Sequence, residues 1–158
     1  MGFFEPFPNS LVELFESGAS IVIGTRDAEL RPEIGRACGA VVDRKERRIT
    51  VFLAEAIAAR TLANLAENGA IAVAFTEIFQ HRSIQTKGKV ISTERAAEIH
   101  QDTIKRYMGA WAEALYQTGI PRAVTLQCAT WPAVAITFEA SDVFVQTPGP
   151  KAGEAWKG

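Results

Sequence analysis

Apolar and polar positions alternate along residues 19–25 (ASIVIGT), 33–42, 48–53, 70–76, 82–90 and 133–145, and β-branched residues crowd these stretches. A period of two with that composition is the pattern of half-buried strands, so six strands are expected. Polar turns at 27–32 (DAELRP) and 43–47 (DRKER) separate the first three, which therefore read as an antiparallel meander beginning a barrel or sandwich. The charged run in the second turn fits a solvated hairpin tip better than a binding surface.

Three stretches carry the helical period instead. Leu11, Leu14 and Phe15 follow a capping box, with Ser10 as N-cap and Glu13 reaching back, and Gly18 suits a left-handed exit. That helix is expected to plug one end of the barrel. A short helix over 56–67 connects the third and fourth strands and ends at a glycine. A long helix over 94–118, capped by Thr93 and stopped by Gly119 and Pro121, repeats Ala97, Ile104, Met108, Trp111 and Leu115 on one stripe. The stripe faces the barrel or a partner subunit, and His100 lies off it as a surface residue. The pattern as a whole gives a mainly β (α+β) domain over 1–145 and a Pro/Gly-rich tail over 146–158, either disordered or a strap over a pocket.

Composition adds limits. At 158 residues the chain is one domain with enough mass for a single core. A net charge of −1 gives no basic excess for a nucleic-acid partner. Cys38 and Cys128 form no CxxC and no zinc constellation. Neither a secretory leader nor a membrane span is visible, so the cytoplasm is the expected compartment.

The usual catalytic and nucleotide motifs are absent: there is no GxSxG, no GxGxxG and no GxxxxGK[ST]. What remains is a set of arginines, Arg36, Arg60 and Arg82. Arg60, Thr61 and Asn64 lie near the start of the short helix, and Arg82, Ser83 and Gln85 return on the strand after next. A phosphate lying across a helix start meets free N–H groups, a favourable dipole and a guanidinium fork that matches it. The bland alternative for each arginine is an ordinary rim position. Cys38 reads as a small buried hydrophobe, Trp111 as helix packing, and Asn64 as a pin for a neighbouring loop. Trp131 either covers a ligand or seals the barrel end; Trp156 is a lid or a disordered aromatic.

The order of Pro32-Glu33-Ile34-Gly35-Arg36, then Asn64-Leu65-Ala66-Glu67-Asn68 ahead of an apolar strand, then Arg82-Ser83-Ile84-Gln85-Thr86-Lys87-Gly88 on the next, resembles the pyridoxamine 5′-phosphate oxidase-like FMN-binding split barrels. The resemblance implies a six-stranded antiparallel split barrel that forms a homodimer, with FMN in grooves between the subunits. It further implies that Arg36 approaches the FMN phosphate and that Ala37, Cys38 and Gly39 follow along the flavin. Arg60 and Thr61 stand where the family has its phosphate pair, and Ser83 where a glutamine often meets the ring. The chain departs from the pattern at Thr61, where a lysine is common, and at Ala58 and Ala59, which replace hydroxyl residues. The implied activity is an FMN-dependent oxidoreductase acting on a small molecule, with NAD(P)H as a candidate donor. The alternatives are a non-catalytic flavin- or haem-binding protein and a scaffold that has lost its cofactor.

Overall fold

The computed structural model describes residues 5–157. The first four residues of the aromatic lead-in and Gly158 at the end of the tail lie outside that range. In chain order the elements are α1 (Asn9–Glu16), β1 (Ser20–Arg26), β2 (Pro32–Arg36), β3 (Ala40–Asp43), β4 (Arg48–Ala54), α2 (Glu55–Asn68), β5 (Ala70–Thr76), β6 (Ser83–Arg95), α3 (His100–Tyr116), α4 (Arg122–Leu126) and β7 (Ala133–Val145). The strands form one antiparallel sheet in the order β2-β1-β5-β6-β7-β4-β3.

The expected architecture is present with one change of count. The second expected strand breaks into β2 and β3, which makes seven strands rather than six. Those two pieces are the opposite edges of the sheet, so the chain crosses from one edge to the other within residues 37–39. Ala37 still donates its N–H to Ile21 O at 3.0 Å, whereas Cys38 already donates to Phe52 O at 2.8 Å and Phe52 donates to Gly39 O at 3.0 Å. Three residues thus bridge the edges of a curled sheet whose ladder is otherwise open there. Gly39 makes the break possible: its φ of +150° lies where only glycine sits without strain.

Alternation places Ile21, Ile23, Val73, Phe75, Val51, Leu53, Ile136 and Phe138 inside the curl. From α1, Leu11, Leu14 and Phe15 enter this core, and the Phe15 ring lies 4.3 Å from that of Phe75. The capping box does not form: Pro8 is the N-cap, no side chain caps the helix, and the exit residue is Ser17 in an extended conformation. Proline supplies a fixed φ at the entry, so the hydroxyl of Ser10 is not required. By contrast α2 ends as its glycine predicts, with Gly69 at φ +66° donating to Leu65 O at 2.8 Å.

The long helix begins later than its pattern suggests. Thr93, Glu94 and Arg95 extend β6 and pair with Ile136, Ala135 and Val134. The facing strand pairs in register with all three residues, and continuing that ladder outweighs the helix-start signal of Thr93. From His100 onward the stripe behaves as expected: Ile104, Met108 and Trp111 are buried, joined by Tyr107. Ala97 falls outside the helix and is exposed. His100 is not a free surface residue, since its ring packs on Phe52 at 4.9 Å. Pro121 also starts a further short helix, α4, that the sequence pattern does not signal.

The tail is a strap. It turns back along β7, where Trp156 donates to Val143 O at 2.8 Å and Gly153 to Val145 O at 2.7 Å. Trp156 is half-buried against the core, which removes the reading of it as a disordered aromatic.

Candidate functional site

Each strand of the β2-β1-β5-β6 half of the sheet has an outer face, opposite the core. On β1 it carries Ser20, Val22 and Gly24; on β5 it carries Ala70, Ala72, Ala74 and Thr76. The register continues the rows onto neighbouring strands: Val22 lies beside Arg36 on one side and Ala74 on the other, and Ala74 lies beside Gln85. The result is a shallow surface of small side chains, half-buried rather than open, with polar groups at one end. Ser20 and Thr76 stand out in it, although no motif flags them. Their signal is the alternation of small outward residues with Ile21, Ile23, Val73 and Phe75 facing inward.

At that polar end Arg36 extends along the outer face. Its Nη1 donates to Ser20 Oγ at 2.6 Å, and its guanidinium carbon lies 5.0 Å from the centre of the Trp111 indole. A hydroxyl and a cation–π contact hold the fork in place while leaving most of its donors free. Among the described residues no carboxylate lies within ion-pair distance of Arg36, whereas the other two candidate arginines each have one. Arg60 Nε lies 3.7 Å from Glu33 Oε2, and Arg82 Nε lies 3.2 Å from Glu77 Oε2.

The remaining candidates divide between the two faces of the sheet. Ser83 is on the outer face but fully used: its hydroxyl bonds Thr76 Oγ1 at 2.7 Å, its N–H donates to Thr147 Oγ1 at 2.9 Å, and its carbonyl accepts from Gln146 at 2.7 Å. Gln85 lies two residues along the same face. Thr61 points the other way; it is 1% exposed, with its Oγ1 turned towards Gly35 on the inner side of β2. Arg60 is exposed, so Arg60 and Thr61 do not converge on one point. Asn64 donates from Nδ2 to Thr25 Oγ1 at 3.1 Å and so pins α2 to strand β1, where the sequence suggested a pin for a neighbouring loop. The first turn of α2 carries Glu55, whose N–H is taken by Pro132 O at 2.8 Å. A carboxylate at that position opposes an anion at the same helix start.

Ala37, Cys38 and Gly39 are buried beneath α3. Ile104 and Tyr107 pass over Gly39, and Tyr107 donates its hydroxyl to Ala19 O at 2.8 Å. Burial pushes the Tyr107 hydroxyl above its ordinary pKa, so it stays a donor at neutral pH. The Cys38 thiol faces Phe52 O at 3.3 Å, and burial raises its pKa to about 11. The thiol is buried and inert as expected, although Cys38 lies in the break between β2 and β3 rather than within a strand.

Clefts lie around this region rather than over it. One of about 230 Å³ opens between α3 and the β5–β6 hairpin, bordered by Ala19, Glu77, Ile78, Ala110 and Ala114. Another of about 430 Å³ lies between α3 and β3, and one of about 590 Å³ lies under the C-terminal strap beside Trp156. None of the three is bordered by Arg60, Thr61, Arg82 or Gln85. Among the described residues no group of three metal-ligating side chains occurs, and no helix is long and apolar enough to cross a membrane.

No protein-family model matches the chain, and no curated protein matches it. Solved structures do. An F420 reductase superposes with a TM-score of 0.59 at 13% identity, over 87% of this chain and 98% of its own. A protein related to general stress protein 26, of the pyridoxinephosphate oxidase family, from Clostridium acetobutylicum gives 0.56 at 15% identity over 94% and 92%. An FMN-binding protein from Syntrophomonas wolfei gives 0.51 at 16% identity over 87% and 86%. At these identities the likeness is one of fold, and the fold is that of the pyridoxamine 5′-phosphate oxidase-like split barrels.

Proposed function

We propose that this chain, a split barrel of the pyridoxamine 5′-phosphate oxidase-like fold, binds FMN against the outer face of β1, β5 and β6 and serves as an FMN-dependent oxidoreductase of small molecules. Neighbours whose names carry FMN, F420 and pyridoxine phosphate oxidase support a flavin-type ligand. The observation that carries the reading is Arg36, an oriented guanidinium with no acid partner among the described residues, at the end of a surface of small side chains. A planar fork with free donors fits a phosphate monoester, and the flat stretch of Val22, Ala74 and Gln85 leaves room for a planar ring. Arg60 and Thr61 contribute less than the family pattern implies, because one leans on Glu33 and the other is turned inward.

Bound FMN supplies hydride and electron transfer at its ring. The protein's share is to fix the phosphate at Arg36, orient the ring along the strands and exclude water from one side. A second copy laid on the half-buried outer face completes the groove in this reading, which makes the homodimer part of the proposal. No side-chain nucleophile is needed, in keeping with the buried neutral thiol of Cys38.

The test is the absorbance spectrum of purified protein followed by FMN titration. Flavin bands and saturable uptake are expected, with bleaching on adding NADH or NADPH. Arg36→Ala removes charge-assisted bonds of about 1.5–3 kcal/mol, so FMN affinity falls by roughly 10- to 150-fold. Colourless protein that takes up no FMN overturns the reading, as does an Arg36→Ala variant with unchanged affinity. Uptake without bleaching by any donor points to the binding-only alternative.

A further inference from the structure

Two of the clefts share a wall. The one of about 430 Å³ between α3 and β3 and the one of about 230 Å³ between α3 and the β5–β6 hairpin are both bordered by Ser17, Gly18 and Ala110. They therefore adjoin. From α3 they take Thr103, Arg106, Tyr107, Ala110 and Ala114, whose spacing of three and four residues puts them on one face of the helix. At 1.5 Å per residue, Thr103 to Ala114 makes a groove about 16 Å long. Where the clefts meet, Gly18 keeps the floor low, since a Cβ on it would lie 2.9 Å from that of Ala110.

The two ends differ in chemistry. Around the hairpin end stand Ala19, Ile78, Phe79 and Ala114, with Gln80 and Glu77 as the polar members. Glu77 is already engaged, its Oε2 lying 3.2 Å from Arg82 Nε. At the other end the polar groups are spent, with one exception. Glu16 Oε1 accepts from the Val42 N–H at 2.8 Å, Ser17 donates to Leu14 O at 2.8 Å, and Tyr107 donates to Ala19 O at 2.8 Å. The exception is Arg106. Its one hydrogen bond among the described residues is a long one to Thr103 Oγ1 at 3.5 Å, and no ion pair among those residues includes it. Val41 and Phe79 lie open at the two ends, 39% and 51% exposed, as apolar surface that a ligand would take from water.

We infer that the groove along α3 binds a long-chain carboxylate, its head group on Arg106 and Thr103 and its chain running over Gly18 and Ala110 to Ile78 and Phe79. A planar fork with free donors matches a carboxylate, and a single unpaired cation beside Glu16 favours a singly charged head over a dianion. The small residues at the join leave the chain room to pass. None of these residues takes part in the flavin reading, so the site stands whether or not flavin binds.

The test is calorimetric titration of the full chain with dodecanoate below its micelle-forming concentration, alongside octanoate and dodecylamine. Saturable uptake of one dodecanoate per chain is expected. Each methylene taken from water strengthens binding about fourfold when fully buried, so even in an open groove dodecanoate should bind at least roughly tenfold more tightly than octanoate. Dodecylamine, with the same chain and the opposite charge, should bind more weakly than dodecanoate. Arg106→Gln is expected to weaken both carboxylates roughly three- to tenfold. Ala114→Phe fills the hairpin end and is expected to weaken dodecanoate while sparing octanoate. The inference is overturned if dodecanoate shows no saturable uptake, if dodecylamine binds as tightly, or if both variants bind dodecanoate as the wild type does. Circular dichroism melts verify that each variant is folded, and the two substitutions, at opposite ends of the groove, test it separately.

Discussion

Gly18, just before β1, lies directly against α3, and replacing it with alanine tests how α3 is held over the polar end of the outer face. Its backbone is not left-handed, so the demand for glycine is one of space. A Cβ there would lie 2.8 Å from the carbonyl carbon of Ala110, 2.9 Å from Ala110 Cβ and 3.0 Å from the Trp111 nitrogen. Two of these atoms belong to helix backbone and cannot swing aside, so α3 must retreat. On the same side of the helix Tyr107 donates to Ala19 O and Trp111 stacks under Arg36. Overpacking costs about 1–3 kcal/mol and a loosened buried hydrogen bond about 0.5–1.5 kcal/mol. Together these come to about 2–4 kcal/mol, or a fall in Tm of roughly 4–15 °C for a domain of this size. The assay is thermal melting by circular dichroism, with Gly109→Ala on the same helix as the control. A Cβ at Gly109 meets nothing within 4 Å, and alanine in a helix interior adds about 0.5–1 kcal/mol. The reasoning is refuted if Gly18→Ala melts with the wild type, or if both variants lose the same stability.

Three further outcomes follow from buried groups. The Cys38 thiol has a folded pKa of about 11 against 9.0 for a free thiol, so the native state holds its proton longer than the unfolded chain. Its contribution to stability is complete below pH 9 and is lost as pH rises towards 11, and urea midpoints of wild type measured against Cys38→Ala over that window should converge. In the native protein a thiol reagent should modify the exposed Cys128 quickly and Cys38 only on unfolding, and equal rates would refute the burial argument. Thr147→Val leaves the buried Ser83 N–H without an acceptor, at about 1–3 kcal/mol, and frees the strap. Native-state hydrogen exchange should then speed up at the Ser83 and Trp156 amides, and unchanged protection would show that the strap is held by other contacts.

The candidate site was legible only in part. Arg36 is visible as a strand arginine, and Ser20 and Thr76 as outward positions between apolar ones. That Arg60 leans on Glu33, that Arg82 pairs with Glu77 and that Arg36 has no acid beside it among the described residues is not visible, because a side chain's partners depend on which strands and helices become neighbours. The phosphate pair suggested at Arg60 and Thr61 shows the limit: adjacent residues on a helix differ by about 100° in direction, so one faces solvent and the other the core.

By itself the chain determines the faces of its strands, the exit of α2 at Gly69, and the apolar stripe of α3, because each depends on a local period or on the freedom of one glycine. Tertiary structure decides where the extended stretch through Ala37 breaks, how far β6 runs beyond Thr93, and where α3 lies. Each of those turns on bonds to residues far away in sequence, Ile21 and Phe52 for the break, Ile136 to Val134 for β6, Gly18 and Ala19 for the helix, and such bonds exist only once the sheet has curled.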